Sequence, residues 1–166
     1  YGEGDDTFPA FVGRSLRDRG LTLAIAESCT GGMIGELVTR VPGSSDYLLL
    51  DAVTYSNAAK TDVLGVNGEL MRAYGAVSGE VASAMAEGAL RAASADIAVA
   101  VTGIAGPGGG TDEKPIGTVW IALAKKGAAT ESTRLSLPGD REGIRMLASY
   151  IAVRQVADAA RANGRA

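Results

Sequence analysis

The chain has 166 residues, of which 46% are hydrophobic and 21% charged, so it has the length of one domain, enough apolar surface for a sizeable core, and a composition far from that of disordered chains. Its net charge of -3 provides no broad electropositive field for a nucleic-acid backbone, and no apolar run approaches the roughly 20 residues that span a bilayer. With no histidine and a single cysteine, Ser-His-Asp and Cys-His sites are excluded and zinc loses its usual ligands, while the count alone leaves an all-carboxylate magnesium or calcium site open.

Residues 1–7 read as a linker, with Gly2 and Gly4 among Glu3, Asp5 and Asp6, acidic where a secretory signal would be basic. A cytoplasmic location is expected, and the lone Cys29, unable to form an internal disulfide, agrees with a reducing compartment. Phe8, Phe11, Val12 and Leu16 fall at helical spacing over Phe8 to Arg19, with Gly20 as the stop. Leu21 to Ala26 is a short apolar run suited to a buried strand, and after Ser28, Cys29, Thr30, Gly31 and Gly32 a helix is expected from Met33 to Val41. Pro42 to Ser45 break the chain, Tyr47 to Tyr55 is strand-like, and Asn57 to Leu64 reads as a helix capped by Ser56 or Asn57. A helix is expected over Ser78 to Ala93, and Asp96 to Val101 reads as a second buried strand running into the glycine-rich loop Thr102 to Gly110. Gly117 to Ala124 and Thr130 to Leu137 form a hairpin, and Glu142 to Ala160 closes the chain as a helix. The order αβαβαααβββα predicts a three-layer α/β/α sandwich with a mixed, mostly parallel sheet.

In such sheets ligands bind beyond the carboxyl ends of the strands, where helix N-termini present backbone N–H groups. Three segments should meet there: Glu27 to Gly32, Tyr55 to Lys60 and Thr102 to Gly110. Gly31, Gly32, Gly103 and Gly106 would let a ligand approach main chain, although tight turns alone account for such glycines equally well. No Walker sequence, G-x-G-x-x-G, G-x-S-x-G or S-x-x-K pattern occurs at these loops. Ser28, Cys29 and Thr30 are adjacent nucleophile candidates at a strand-to-helix turn, and without histidine the natural base is a lysine whose pKa is lowered by burial or a nearby cation. Of four lysines, Lys60 at a helix opening is the best placed, though spacing by itself favours a solvated surface role. Arg141 at a loop-to-helix junction suits a phosphate or carboxylate clamp, with an ion pair to Asp140 or Glu142 as the equal alternative. Asp112 and Glu113 read as solvated acids, and Trp120 as core.

Six separated segments, AESCTGG (26–32), TYSNAAK (54–60), GAVSGEVA (75–82), TGIAGPGGG (102–110), KPIGTVW (114–120) and GDREGIR (139–145), closely resemble the CinA C-terminal domain family. Its members include enzymes that hydrolyse nicotinamide mononucleotide (NMN) to nicotinic acid mononucleotide and ammonia. The resemblance implies a serine amidohydrolase with no metal and no cofactor: Ser28 as nucleophile, Lys60 as base and Tyr55 to relay or orient the proton. It further implies substrate binding by Thr30, Gly31, Gly32, Thr102, Gly103, Gly106 and Arg141, the Thr102 to Gly106 loop and Arg141 taking the ribosyl phosphate. Backbone N–H groups around Thr30 and Gly31 would stabilise the oxyanion. Residues 1–7 resemble the linker that joins this domain to an N-terminal domain in longer CinA proteins. The alternatives are a non-catalytic nucleotide-binding regulatory module and a hydrolase of another small amide. A DNA-associated role has no basic patch behind it, and a homodimer is the expected assembly.

Overall fold

The computed structural model describes residues 7–162, so the linker reading of residues 1–7 lies, apart from Thr7, outside the described residues. The elements follow as α1 (Phe8–Arg17), β1 (Leu23–Glu27), α2 (Met33–Thr39), a 3-10 turn (Ser44–Asp46), β2 (Leu48–Val53), α3 (Asn57–Leu64), α4 (Gly68–Tyr74), α5 (Gly79–Ala93), β3 (Ile97–Gly103), β4 (Thr118–Lys125), β5 (Glu131–Ser136) and α6 (Arg141–Ala162). Local chemistry sets several starts. Ser56 accepts the Ala59 N–H at the head of α3, Asn67 that of Glu69 before α4, and Ser78 that of Val81 before α5. Each such bond satisfies one of the orphan donors of a helix N-terminus.

The five strands lie in the order β2-β1-β3-β4-β5. β2, β1 and β3 pair in parallel, and the hairpin adds β4 and β5 antiparallel. Four strands therefore run one way and only β4 against them, although by pairing the sheet is half parallel and half antiparallel, because the hairpin occupies its whole second half. β1, β2, β3 and β5 all end at the same rim.

The register sorts side chains by size. Leu23, Ile25, Ile97, Val99, Val101, Val119 and Ile121 face one side, where they pack with Leu16 of α1, Ile34 and Leu37 of α2, and Ile144 and Val153 of α6. Ala24, Ala26, Ala98, Ala100, Ala122 and Ala124 face the other, against Leu64 of α3 and Val81, Met85 and Ala86 of α5. Because ladder partners match large with large and Ala with Ala, a slip of one residue would exchange the two faces. The alanine face lets α5 approach closely: a Cβ on Gly79 would stand 2.8 Å from the Trp120 ring, and one on Gly88 would fall on the Leu64 carbonyl. α5 thus holds α3 against the sheet, and α3 carries Lys60.

Candidate active site

Ser28 is the first residue past β1, with its N–H donating to the Val101 carbonyl at 3.1 Å. Two consecutive glycines follow, Gly31 at φ +61° and Gly32 at φ +95°, both in the left-handed region that ordinary residues avoid. They turn the chain sharply into α2, whose N-cap, Gly32, has no capping side chain of its own. The capping is done from outside: Glu27, 0% exposed, accepts the N–H groups of Gly32 and Gly35, both at 2.9 Å. A carboxylate there also sits at the positive end of the helix dipole.

Lys60 lies in the first turn of α3 and is 1% exposed. Its Nζ donates to the Thr54 carbonyl at 2.8 Å, to Ser28 Oγ at 3.1 Å and to the Tyr55 carbonyl at 3.4 Å. The end of β2 is in turn fixed to β1, since Thr54 N–H donates to the Glu27 carbonyl at 2.8 Å. Burial lowers the Lys60 pKa from 10.5. In the neutral amine two N–H groups are taken by the two carbonyls, which leaves the lone pair directed at Ser28. That is the geometry of a general base.

Cys29 points the other way. It is buried among the large side chains of the core, and burial pushes its thiol up to about 11, so at neutral pH it is neither ionised nor accessible. Thr30 is also 0% exposed, and its Oγ1 has no hydrogen-bond partner. Gly31's N–H, expected to serve an oxyanion, instead closes the turn onto the Ser28 carbonyl at 3.1 Å.

Several other expected roles change with the geometry. The Tyr55 phenol, 60% exposed, does not contact Lys60 but accepts a hydrogen bond from Arg141 Nη2 at 3.1 Å; what Tyr55 gives the lysine is its carbonyl. Arg141 Nη1 also donates to the Gly106 carbonyl at 2.8 Å, so one guanidinium ties the α3 side of the site to the glycine-rich loop. Neither Asp140 nor Glu142 pairs with it: Asp140 caps α6 by accepting the Gly143 N–H at 2.9 Å. Thr102, 1% exposed, spends its hydroxyl on the Ala76 carbonyl at 2.8 Å and positions its loop rather than offering a free donor. Gly103 is glycine for packing, since a Cβ would stand 2.8 Å from Val119 and 3.1 Å from Cys29 Sγ.

Sequence reasoning passed over two further residues, Glu27 and Arg145, although both lie inside the segments it singled out. Arg145, half-buried on α6, donates Nε to the Cys29 carbonyl at 3.0 Å and Nη2 to the Thr30 carbonyl at 2.8 Å. A signal for Glu27 existed in the absence of any Ser, Thr, Asp or Asn at the cap of α2. Beside the turn opens a cleft of about 450 Å³ lined by Met33, Asp140, Arg141, Glu142 and Arg145. Among the described residues no group of three or more Cys, Asp or Glu side chains converges as a metal site would, and no helix is long and apolar enough to cross a membrane.

A serine held 3.1 Å from a buried lysine amine, beside a helix N-terminus and an open cleft, is equipped for acyl transfer. Known proteins are similar to this chain in sequence and in fold. A CinA-like protein of Geobacter sulfurreducens is 51% identical over 152 residues, 91% of this chain and 36% of that protein. The chain thus spans little more than a third of the length of such curated relatives. Among solved structures, a competence-damaged protein (CinA) superfamily protein from Klebsiella pneumoniae superposes with a TM-score of 0.88 at 36% identity, covering 93% of this chain and 96% of that one. The competence/damage inducible protein CihA from Agrobacterium tumefaciens gives 0.87 at 38% identity, covering 97% and 99%. The model of the CinA C-terminal domain matches residues 5–160, and the chain belongs to that family.

Proposed function

We propose that this chain is a serine amidohydrolase that cleaves the carboxamide of NMN to nicotinic acid mononucleotide and ammonia. The observation that carries the reading is the Lys60 Nζ to Ser28 Oγ contact of 3.1 Å in a buried setting that favours the neutral amine. Lys60 accepts the Ser28 proton as Oγ bonds to the carboxamide carbon, and the resulting oxyanion is held by N–H groups of the nucleophile turn. The intermediate collapses with cleavage of the C–N bond, and the proton held by Lys60 passes to the departing nitrogen, which leaves as ammonia. Water, deprotonated by Lys60, then attacks the acyl-serine and regenerates Ser28.

The cleft fits a zwitterionic ligand. Arg141 and Arg145 line it with positive charge and Asp140 and Glu142 with negative charge, a combination suited to a ligand that carries both a phosphate and a pyridinium. The pyridinium also makes the attached carbonyl more electrophilic than that of an ordinary amide. The experiment is ammonia release by the purified chain from NMN, nicotinamide riboside and glutamine. NMN should be turned over, nicotinamide riboside should be a much poorer substrate, and glutamine should be inert. Equal kcat/KM for NMN and its riboside would remove the phosphate site, and no release from NMN would overturn the substrate.

A further inference from the structure

We infer that Asp51 is a positioning residue for the nucleophile: as a carboxylic acid it donates to Glu27 and holds that carboxylate on the amides of the Ser28 turn, and on ionising it lets the turn loosen. The inference rests on the reading of Ser28 as nucleophile and says what keeps that residue in register with Lys60.

Two carboxyl groups and one glycine converge behind the turn. Glu27, 0% exposed, accepts the Gly32 N–H on Oε2 and the Gly35 N–H on Oε1, both at 2.9 Å. Asp51 pairs with Ile25 in the register of β1 and β2, which puts it on the same face of the sheet as Glu27. It reaches so closely under α2 that a Cβ on Gly35 would fall on its Oδ2 and stand 2.7 Å from its Cγ. Glycine inside a helix is a poor choice for stability, and here it makes room for a carboxyl. Two carboxylates in contact repel unless they share a proton. Both Glu27 oxygens already accept amide hydrogens, so the proton of the pair belongs on Asp51, whose O–H then donates to Glu27. Part of Asp51 stays exposed at the sheet edge, so that proton exchanges with water.

The charge that bears on Asp51 is that of Glu27. Ionisable groups on the other neighbouring elements are engaged elsewhere: Glu36 and Arg40 of α2 pair with each other, Asp46 of the 3-10 turn lies near Tyr47, and Arg145 of α6 donates to the carbonyls of Cys29 and Thr30. α3 and α5, which carry Lys60, Asp62, Glu80, Glu87 and Arg91, cover the opposite face of the sheet. Desolvation, then the charge of Glu27 and the hydrogen bond to it, raise the Asp51 pKa from 3.8 to about 7. Ionisation removes the donor and sets a second negative charge against Glu27, the residue that precedes Ser28. What loosens is the cap on Gly32 and Gly35, and with it the 3.1 Å contact between Ser28 Oγ and Lys60 Nζ. The turn is therefore held below about 7 and released as pH rises through that value.

The test uses the full chain as wild type and Asp51→Asn, with folding followed by circular dichroism at each pH. Asparagine keeps the shape of the acid and has an N–H that donates to Glu27 at every pH. Two rates are read: NMN turnover, and phosphonylation of Ser28 by a fluorophosphonate, in which Oγ bonds to phosphorus, fluoride leaves and the serine proton passes to Lys60. Lys60 titrates in both proteins, so the quotient of wild-type over Asp51→Asn rates cancels its limb. That quotient should lie within about threefold of one near pH 5.5 and fall roughly tenfold by about pH 9, so that the wild type climbs less steeply than the variant. With NMN the quotient should appear in kcat while KM moves by less than about threefold. In a Glu27→Gln background the charge opposite Asp51 is gone, and Asp51→Asn should no longer change the shape of the profile. A quotient flat within about threefold over the whole range would overturn the inference, as would a fall that persists in the Glu27→Gln background. An Asp51→Asn chain that does not fold, or a wild type that unfolds over the same window, would make Asp51 a structural residue, and the inference falls. A wild type that labels at Ser28 yet leaves NMN intact would sink the substrate reading alone, because the labelling comparison still decides the role of Asp51. A wild type that does not label would remove the nucleophile and the inference together.

Discussion

Replacing Lys60 by methionine keeps an unbranched apolar stem of nearly the same reach in the buried site and removes the amine. Three hydrogen bonds are lost, to Ser28 Oγ and to the carbonyls of Thr54 and Tyr55. A buried acceptor left unpaired costs about 1–3 kcal/mol, but the variant no longer buries a group that water would otherwise solvate, so the net stability change should stay within about 2 kcal/mol. The catalytic loss is larger: a positioned general base is worth roughly 10²- to 10⁴-fold. Ser28→Ala should lose a comparable amount, and the double variant should be little worse than either, since nucleophile and base act as one unit. The pH dependence separates a base from a structural lysine. Because burial lowers the Lys60 pKa from 10.5, kcat/KM of the wild type should climb with pH along a limb set below that value, and the limb should vanish in Lys60→Met. Stability carries the same signature. Between the folded and unfolded values the unfolded chain binds more protons at this position, so the wild type gains stability as pH rises through that window and Lys60→Met does not. Ammonia release and thermal melts from mildly acidic to strongly alkaline pH measure both. A Lys60→Met enzyme within about tenfold of wild type, or one that keeps the limb, would refute the base assignment.

Other consequences can be checked on the same material. Cys29→Ala should keep kcat within about threefold and lose only about 1 kcal/mol as a small core truncation, and the thiol, raised to about 11, should resist iodoacetamide until the chain unfolds; rapid alkylation of the folded protein would contradict its burial. Gly88→Ala drives a methyl onto the Leu64 carbonyl, so it should cost about 1–3 kcal/mol and, by displacing the helix that carries Lys60, lower activity as well. The control Gly108→Ala, with nothing within 4 Å, should leave Tm unchanged. Asp51 presses its carboxyl against Gly35 and Glu27, and desolvation, then the charge of Glu27 and its hydrogen bond, raise its pKa from 3.8 to about 7. Its contribution to stability is present below about 3.8 and is lost as pH rises through about 7. Asp51→Asn should therefore flatten that slope in urea titrations, and an unchanged slope would place the titration elsewhere.

The strands were legible because β1 and β3 are buried on both faces and read as unbroken apolar runs bounded by polar or glycine residues. What the runs did not announce was that their period-two alternation is one of size rather than polarity, so that bulky residues meet α1, α2 and α6 while alanines admit α5. The middle helix of the three after β2 appeared in the expected order, yet Gly68 at its start and its seven-residue length left its bounds unreadable. The extra turn at Ser44–Asp46 fell within a segment that read only as a break.

At the site, legibility followed the range of the interaction. Ser56 caps α3 from one residue away, so the opening that carries Lys60 was readable; the burial of Lys60 was not, because its enclosing partner Ser28 is 32 residues distant in the chain. Arg145 is a sharper case, contacting the turn across 115 and 116 residues. Charged side chains at such positions read as solvated until tertiary structure pairs them, and here the pairing is with main chain, which no charge pattern records. This is also why glycines misled. Gly31 and Gly32 are required by backbone conformation, which sequence can suggest, whereas Gly103 is required by Cys29 and Val119, which come from other strands and loops. A site without histidine must take its base from a side chain that water would keep protonated, so its reactivity depends on burial that only the assembled fold can supply. The nucleophile turn meets that demand by sending Cys29 inward and Ser28 toward the lysine, with the carbonyls held by Arg145 and the amides by Glu27, so that chemistry and packing are decided by the same seven residues from Ala26 to Gly32.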